Sequence, residues 1–139
     1  MSMQRICTVC MLAGLMLAMC GCGRPTIIGS NAAVYQSGSG KLYAVASQDM
    51  NNVYLATLEA LKKLELEVTE QAKDVFIAKI VAKAADGKKI TIWIKPGPDD
   101  SSELSIKTGR LVGNEERSRV IYKQIQQNLE TGVGTRKGK

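Results

Sequence analysis

The stretch that decides the fold is VFIAKIVAKAADGKKITIWIK, residues 75–95. Residues 75–83 have the composition and the period-two alternation of a β-strand. Asp86 and Gly87 then form a pair that is typical of β-hairpin turns. In residues 90–95, ITIWIK, every second side chain is an isoleucine. The stretch therefore predicts an antiparallel hairpin with one strongly apolar face.

On either side of this hairpin the sequence predicts three more strands and two helices. The predicted strands are residues 41–47, 64–69, 75–83, 90–95 and 103–109. One helix follows a cap at Asp49 or Asn51 and the other follows Asn114, and each has one apolar stripe. The order β-α-β-β-β-β-α predicts an α+β domain over residues 41–130. We expect two layers, with both helices on one face of an antiparallel sheet of about five strands.

The same alternation assigns each strand residue to one of two faces of the sheet. The side chains predicted to face the helices are Leu42, Ala44, Ala46, Phe76, Ala78, Ile80, Ala82, Ile90, Ile92, Ile94, Leu104 and Ile106. The opposite face is a candidate partner-binding face that carries Trp93, Tyr43, Val45, Ile77 and Val81, with Val75 beside them. Contiguous apolar surface of this kind marks interaction sites. The alternative is that the preceding chain covers this face with Ile27, Ile28, Val34 and Tyr35.

Residues 1–21 have the pattern of a secretory signal peptide. Arg5 supplies a positive charge, and the 14 residues Ile6–Met19 that follow carry none. As a helix this segment is roughly 21 Å long, which is shorter than the ~30 Å hydrocarbon core that a membrane-spanning helix must cross. The length therefore favours a signal peptide over a transmembrane anchor.

The end of this leader, LMLAMCGCGRP (15–25), resembles the lipobox of bacterial lipoproteins. The resemblance implies that a cysteine preceded by a small residue receives diacylglycerol and that the leader is cut just before it. Cys22 follows Gly21 and is the predicted lipidation site, whereas Cys20 follows the bulky Met19 and is the fallback. Because glycine rather than aspartate follows Cys22, the resemblance also implies that in a Gram-negative host the protein is exported to the outer membrane, with the domain facing the periplasm.

Two segments that flank the domain contain many residues that disfavour regular structure. Residues 22–40 predict a lipidated N terminus and a flexible tether, because glycine, serine and proline are frequent there. Residues 131–139 predict a disordered basic tail, because they hold three glycines and one apolar residue. The chain has no cysteine after Cys22, so the predicted domain relies on its core rather than on disulfides.

Charge and residue chemistry argue against several function classes. The formal net charge is +6, but residues 41–129 hold 14 Lys and Arg against 12 Asp and Glu, without the dense basic face of a nucleic-acid-binding protein. The chain has no histidine, the commonest general base and metal ligand. Asp99 and Asp100 are adjacent, unlike the alternating ligands of a calcium loop. Glu65 and Glu67 share the wet face of a predicted strand. We therefore predict no catalytic site, no metal and no cofactor.

Several segments together resemble a known family. They are GKLYAVASQDMNNVYLATLEALKKLELEVTEQAKD (40–74), FIAKIVAKAADGKKITIWIK (76–95), the C-terminal amphipathic helix and the lipobox. This set resembles DUF3568, a family of small bacterial lipoproteins of unknown function. The predicted function is a lipid-anchored cell-envelope lipoprotein that acts as a non-catalytic binding or scaffold module, with the membrane and an envelope protein as partners. The alternative is a hydrolase of envelope polymers with an unrecognised active site.

Overall fold

The computed structural model describes residues 33–36, 39–110 and 113–133, the first of these ranges as backbone only. In chain order the elements are β1 (Ala33–Gln36), β2 (Lys41–Ala46), α1 (Met50–Lys63), β3 (Glu67–Lys73), β4 (Ala78–Lys83), β5 (Lys89–Pro96), β6 (Ser102–Thr108) and α2 (Glu115–Glu130). The predicted leader with Cys20 and Cys22, and the predicted tail from residue 134 onward, lie outside the described residues.

Within these residues the strands form one antiparallel sheet in the order β1-β2-β6-β5-β4-β3. Strands β2 to β6 and the two helices follow the predicted order β-α-β-β-β-β-α, which confirms the α+β fold class. Strand β1 is an addition to the prediction. It lies within the predicted tether and pairs with β2 from Ala33 opposite Ala44 to Gln36 opposite Lys41. This part of the tether therefore extends the plane of the sheet.

Both helices pack on one face of the sheet, which we call the inner face. The predicted inner residues of β2, β5 and β6 are all buried: Leu42, Ala44, Ala46, Ile90, Ile92, Ile94, Leu104 and Ile106. They form one core with Val53 and Leu61 of α1 and with Ile121 and Ile125 of α2. Burial of these aliphatic side chains supplies the main driving force for folding, at about 25 cal/mol for each Å² removed from water.

The two helices begin at residues that the sequence marks as caps. The carboxylate of Asp49 accepts hydrogen bonds from the amides of Asn51 and Asn52, and the side chain of Asn114 accepts one from the amide of Arg117. These contacts satisfy amides that have no partner within the helix. Neither helix in the described part of the chain is long and apolar enough to cross a bilayer.

Helix α1 ends in a way that shortens the next strand. The amide of Glu65 donates to the Lys62 carbonyl at 3.1 Å, and the amide of Leu66 donates to the Leu61 carbonyl at 2.9 Å. This pair of bonds is a Schellman motif, and it places Glu65 in the left-handed region at φ +55°. Strand β3 therefore begins at Glu67, and the predicted start three residues earlier is wrong.

The turn between β4 and β5 is tied to α2 by an ion pair. The guanidinium of Arg117 donates to both carboxylate oxygens of Asp86, at 3.1 Å and 2.9 Å. Hydrogen bonds from Arg117 and from the amide of Lys88 lower the pKa of Asp86 to about 2. Gly87 follows at φ +77°, a conformation in which a side chain is strained. The predicted turn at Asp86 and Gly87 is thus confirmed, and it also fastens the first turn of α2.

Candidate functional site on the outer face of the sheet

The face of the sheet opposite the helices, which we call the outer face, carries the predicted partner-binding residues. The strand register places Tyr43, Ser105, Trp93 and Lys79 in one row across β2, β6, β5 and β4. The half-buried members of the predicted set are Tyr43, Val45, Ile77 and Trp93. Since neighbouring strands lie ~4.8 Å apart, the two aromatic residues of this row start from backbone positions roughly 10 Å apart.

Trp93, the single tryptophan of the chain, lies in the middle of the outer face beneath a lysine. The Nζ atom of Lys41 is 4.6 Å from the centroid of the Trp93 ring. Lys41 belongs to β2, so its side chain reaches across β6 to a residue of β5. A cation over an indole stabilises a partly exposed pair by ~0.5–1 kcal/mol. This contact orients the ring and partly covers it.

Val81 is buried, although the sequence pattern predicts it on an open surface. Its side chain is 3% exposed, so the predicted exposure is wrong. Its cross-strand partner is Glu70, whose Oε1 accepts a hydrogen bond of 2.7 Å from the Nζ of Lys79, two residues before Val81. Because both long side chains flank Val81 on the same face, we infer that their aliphatic stems shield the smaller valine from water. The hydrogen bond and the charge of Lys79 lower the pKa of Glu70.

The outer face carries an excess of positive charge. Among the described residues, six lysines and three glutamates alternate onto it: Lys41, Lys79, Lys83, Lys89, Lys95 and Lys107, with Glu67, Glu70 and Glu103. The lysines surround the half-buried aromatic pair of Tyr43 and Trp93. A face of this kind is electrostatically complementary to an acidic surface.

Among the described residues, the large apolar side chains with the greatest exposure lie in the turn between β3 and β4. Val75 is 75% exposed and Phe76 is 77% exposed, so the predicted inner position of Phe76 is wrong. The Oδ1 of Asp74 accepts hydrogen bonds from the amides of Phe76, at 2.7 Å, and Ile77, at 2.9 Å. These bonds lower the pKa of Asp74 and fold residues 74–77, which we call the hairpin tip, into a turn. The strand alternation begins only at residue 78, so it does not govern Phe76.

Concavities also lie on the described surface, and one of about 410 Å³ is lined by α2 residues that include Val120 and Lys123. One of about 650 Å³ runs beside α1 and is lined by Leu55, Leu58, Glu59, Lys62, Gly132 and Val133. One of about 140 Å³ lies between β2 and α2, and its lining includes Val45, Tyr122 and Leu129. Burial raises the pKa of the Tyr122 hydroxyl. Residues 39–110 and 113–133 contain no group of three or more Cys, Asp or Glu placed to hold a metal ion.

Comparison with known protein families places this chain in one of them. The model of a family described as proteins of unknown function, DUF3568, matches residues 5–128. The matched range runs from the predicted leader to the last turn of α2 and covers most of the chain. A search of curated proteins found no match.

Proposed function

Because the chain belongs to DUF3568, a family of proteins of unknown function, we propose its role from its own residues. It is a lipid-anchored protein of the bacterial cell envelope that binds a partner through the outer face of its sheet and performs no catalysis. Acylated Cys22 holds it at the outer membrane, and the domain faces the periplasm. The family assignment agrees with the one made from the sequence pattern.

The binding role rests on the one-sided arrangement of the fold. Both helices cover the inner face, where they bury the aliphatic side chains of the central strands. The outer face has no helix over it in the described part of the chain, yet it holds Trp93 and Tyr43 in one row. Tryptophan and tyrosine are enriched among the residues that dominate binding energy at interfaces. Their place at the centre of a face that no described helix covers therefore favours a binding surface.

The charge of this face indicates the kind of partner. Lysines of β2, β4, β5 and β6 surround the aromatic pair, and Lys41 lies against the Trp93 ring. An acidic partner surface would meet these ammonium groups while its apolar atoms contact the rings. Charge complementarity of this type speeds association and makes it sensitive to salt. We therefore expect an envelope protein with an acidic docking surface.

The anchor is tested by metabolic labelling of the full chain in a bacterial host with radioactive palmitate. We expect C22S to remain an unprocessed precursor without label, whereas C20S is labelled and processed as the wild type is. Loss of label in C20S but not in C22S would move the anchor to Cys20. Label in neither the wild type nor C20S would refute the lipid anchor.

The binding face is tested by crosslinking in intact cells, followed by quantification of the proteins recovered with the full chain. W93S removes the central ring, and K41E reverses a charge without removing a buried side chain. V120S is the matched control, because Val120 is 49% exposed on α2, away from the sheet. We expect a protein that the wild type and V120S recover equally and that both outer-face variants lose. Equal recovery by all four proteins would refute the proposed face.

A further inference from the structure

The hairpin tip is an ordered turn that presents two large apolar side chains to solvent. Val75 and Phe76 are 75% and 77% exposed, and Phe76 is the single phenylalanine of the chain. The turn is held by the two amide bonds to the Asp74 carboxylate and by a third bond of 3.0 Å from the amide of Asp74 to the carbonyl of Ile77. Because these hydrogen bonds already hold the turn, it loses little further conformational entropy when the two apolar side chains enter an apolar phase.

The strand register places this tip at the end of the sheet where the chain enters it. One row of paired residues crosses all six strands of the described sheet: Ala33, Ala44, Leu104, Ile94, Ala78 and Lys73. Ala33 is the first residue of β1, and β1 runs from this row toward the opposite end of the sheet. Lys73 and Ala78 flank the tip directly. The start of β1 and the tip therefore lie toward the same end of the sheet, on opposite edges.

The length of chain before β1 is sufficient for both points to meet one surface. Ten residues, 23–32, separate Cys22 from Ala33, and covalent geometry allows them to span at most ~36 Å. Six strands spaced ~4.8 Å apart make the sheet roughly 24 Å wide. A bilayer that holds an acylated Cys22 is therefore within reach of the hairpin tip.

From this placement we infer that the hairpin tip is a second membrane contact, which inserts Val75 and Phe76 into the interfacial region of the bilayer that holds the anchor. The inference rests on the proposed lipid anchor and adds an orientation to it, with this end of the sheet toward the lipid. Apolar side chains on interfacial segments enter the boundary between headgroups and acyl chains in this way.

The charges at this end of the sheet determine which lipid property matters. Asp74 lies in the tip itself, and the exposed Asp99 and Asp100 lie in the loop that joins β5 to β6 at the same end. Lys95 at the end of β5 and Lys73 at the end of β3 oppose them. Because these acidic groups outnumber the basic ones, attraction to anionic lipid does not hold the tip, and apolar insertion must do so. Binding of the tip should therefore not require anionic lipid.

The experiment uses fluorescence quenching by lipids with brominated acyl chains. The single native tryptophan is removed by W93F, and a new one is introduced in the tip by F76W or, as a control, on α2 by V120W. The processed protein is extracted from host membranes and reconstituted into phosphatidylcholine vesicles with bromine near the headgroup end of the chains. We expect the F76W fluorescence to be blue-shifted and quenched several-fold more strongly than that of V120W, with or without added phosphatidylglycerol.

The outcomes separate the tip from the anchor. Mass spectrometry of the extracted protein reports acylation independently of quenching. If the acylated protein shows no more quenching for F76W than for V120W, the tip contact is refuted while the anchor stands. If no acyl group is found, the same two variants of the full chain are added to the same vesicles. Quenching specific to F76W then supports a bilayer contact of the tip alone, and its absence refutes it. A blue shift without bromine quenching shows that the tip is buried against protein, in the same chain or in another copy of it, and overturns the lipid contact.

Discussion

Asn128 couples the two helices, and its replacement is the perturbation we expect to be most informative about stability. The residue lies in the last turn of α2 and is fully buried. Its Nδ2 donates to the carbonyl of Ala56 on α1 at 3.0 Å. Its Oδ1 accepts from the Nζ of Lys63, also on α1, at 2.8 Å, and from the Nε2 of Gln124 at 3.3 Å. A single amide thus bonds twice to the neighbouring helix.

The expected cost of N128A follows from these contacts. A buried neutral hydrogen bond is worth ~1 kcal/mol, and the bond to Lys63 adds little because that lysine is exposed and remains hydrated after the change. The carbonyl of Ala56 keeps its intrahelical partner, so no acceptor is left bare. Loss of the packed amide atoms adds about 1 kcal/mol for the cavity. We expect a total loss of about 2 kcal/mol, which lowers the Tm of a domain of this size by roughly 8–16 °C.

The variant N128D should have a free energy of unfolding that depends on pH more strongly than that of N128A. It places a carboxylate oxygen against the carbonyl of Ala56, so two acceptors face each other where a donor stood, and a charge is buried. The exposed ammonium of Lys63 favours the charged form, but we expect burial and the facing carbonyl to outweigh it, so that the introduced carboxyl has a folded-state pKa above its unfolded value of ~3.9. Its penalty is complete at pH values above the folded pKa and disappears as the pH falls toward the unfolded pKa. N128D should be less stable than N128A at pH 7, and the gap should narrow at pH 5.

Urea unfolding followed by circular dichroism at both pH values measures these differences. Q124A is the control, because it removes only the long bond to Asn128 and should change the free energy of unfolding by less than about 0.5 kcal/mol. If N128A is as stable as Q124A, Asn128 does not join the helices as described. A gap between N128D and N128A that stays constant with pH would contradict the raised pKa and show that water or Lys63 compensates the carboxylate.

Two further predictions concern local contacts. In D86N the guanidinium of Arg117 loses its charged partner, so the Tm at pH 7 should fall. The folded pKa of Asp86 is about 2, so the ion pair stabilises the wild type fully above the unfolded pKa of ~3.9, and this stability is lost as the pH drops toward 2. In thermal melts over that pH range the Tm of D86N should therefore fall less than that of the wild type. Parallel Tm curves for the two proteins would contradict this role of the ion pair. Glu65 has a left-handed backbone conformation, which costs a residue with a side chain ~1–2 kcal/mol in the folded state. Glycine avoids this strain but loses ~0.5–1 kcal/mol more through its greater freedom in the unfolded chain. In urea titrations, E65G should therefore raise the free energy of unfolding by about 0.5–1 kcal/mol. A loss of stability in E65G would show that the Glu65 side chain makes a contact worth more than the strain.

The sequence by itself determined the features that depend on neighbours along the chain. The alternation predicted the buried isoleucines of β5 and the buried Leu104 and Ile106 of β6, because successive side chains of a strand point to opposite faces of the sheet. The caps at Asp49 and Asn114 and the turn at Asp86 were predictable because each satisfies or reverses the backbone within a few residues. These local rules also determined the fold class, since two apolar stripes require one apolar sheet face to cover them.

Only the tertiary structure decided the features that depend on residues distant in sequence. Strand β1 forms because the β2 edge offers it unpaired backbone groups, although the sequence around it, rich in glycine and serine, is typical of a linker. Val81 is buried beside an ion pair that joins two strands, and the ring of Trp93 is oriented by a lysine from two strands away. Asn128 lies beside the apolar stripe of α2, and only the approach of α1 makes it a buried link. No short segment contains these contacts, because each requires the chain to be folded before its two partners come within reach of one another.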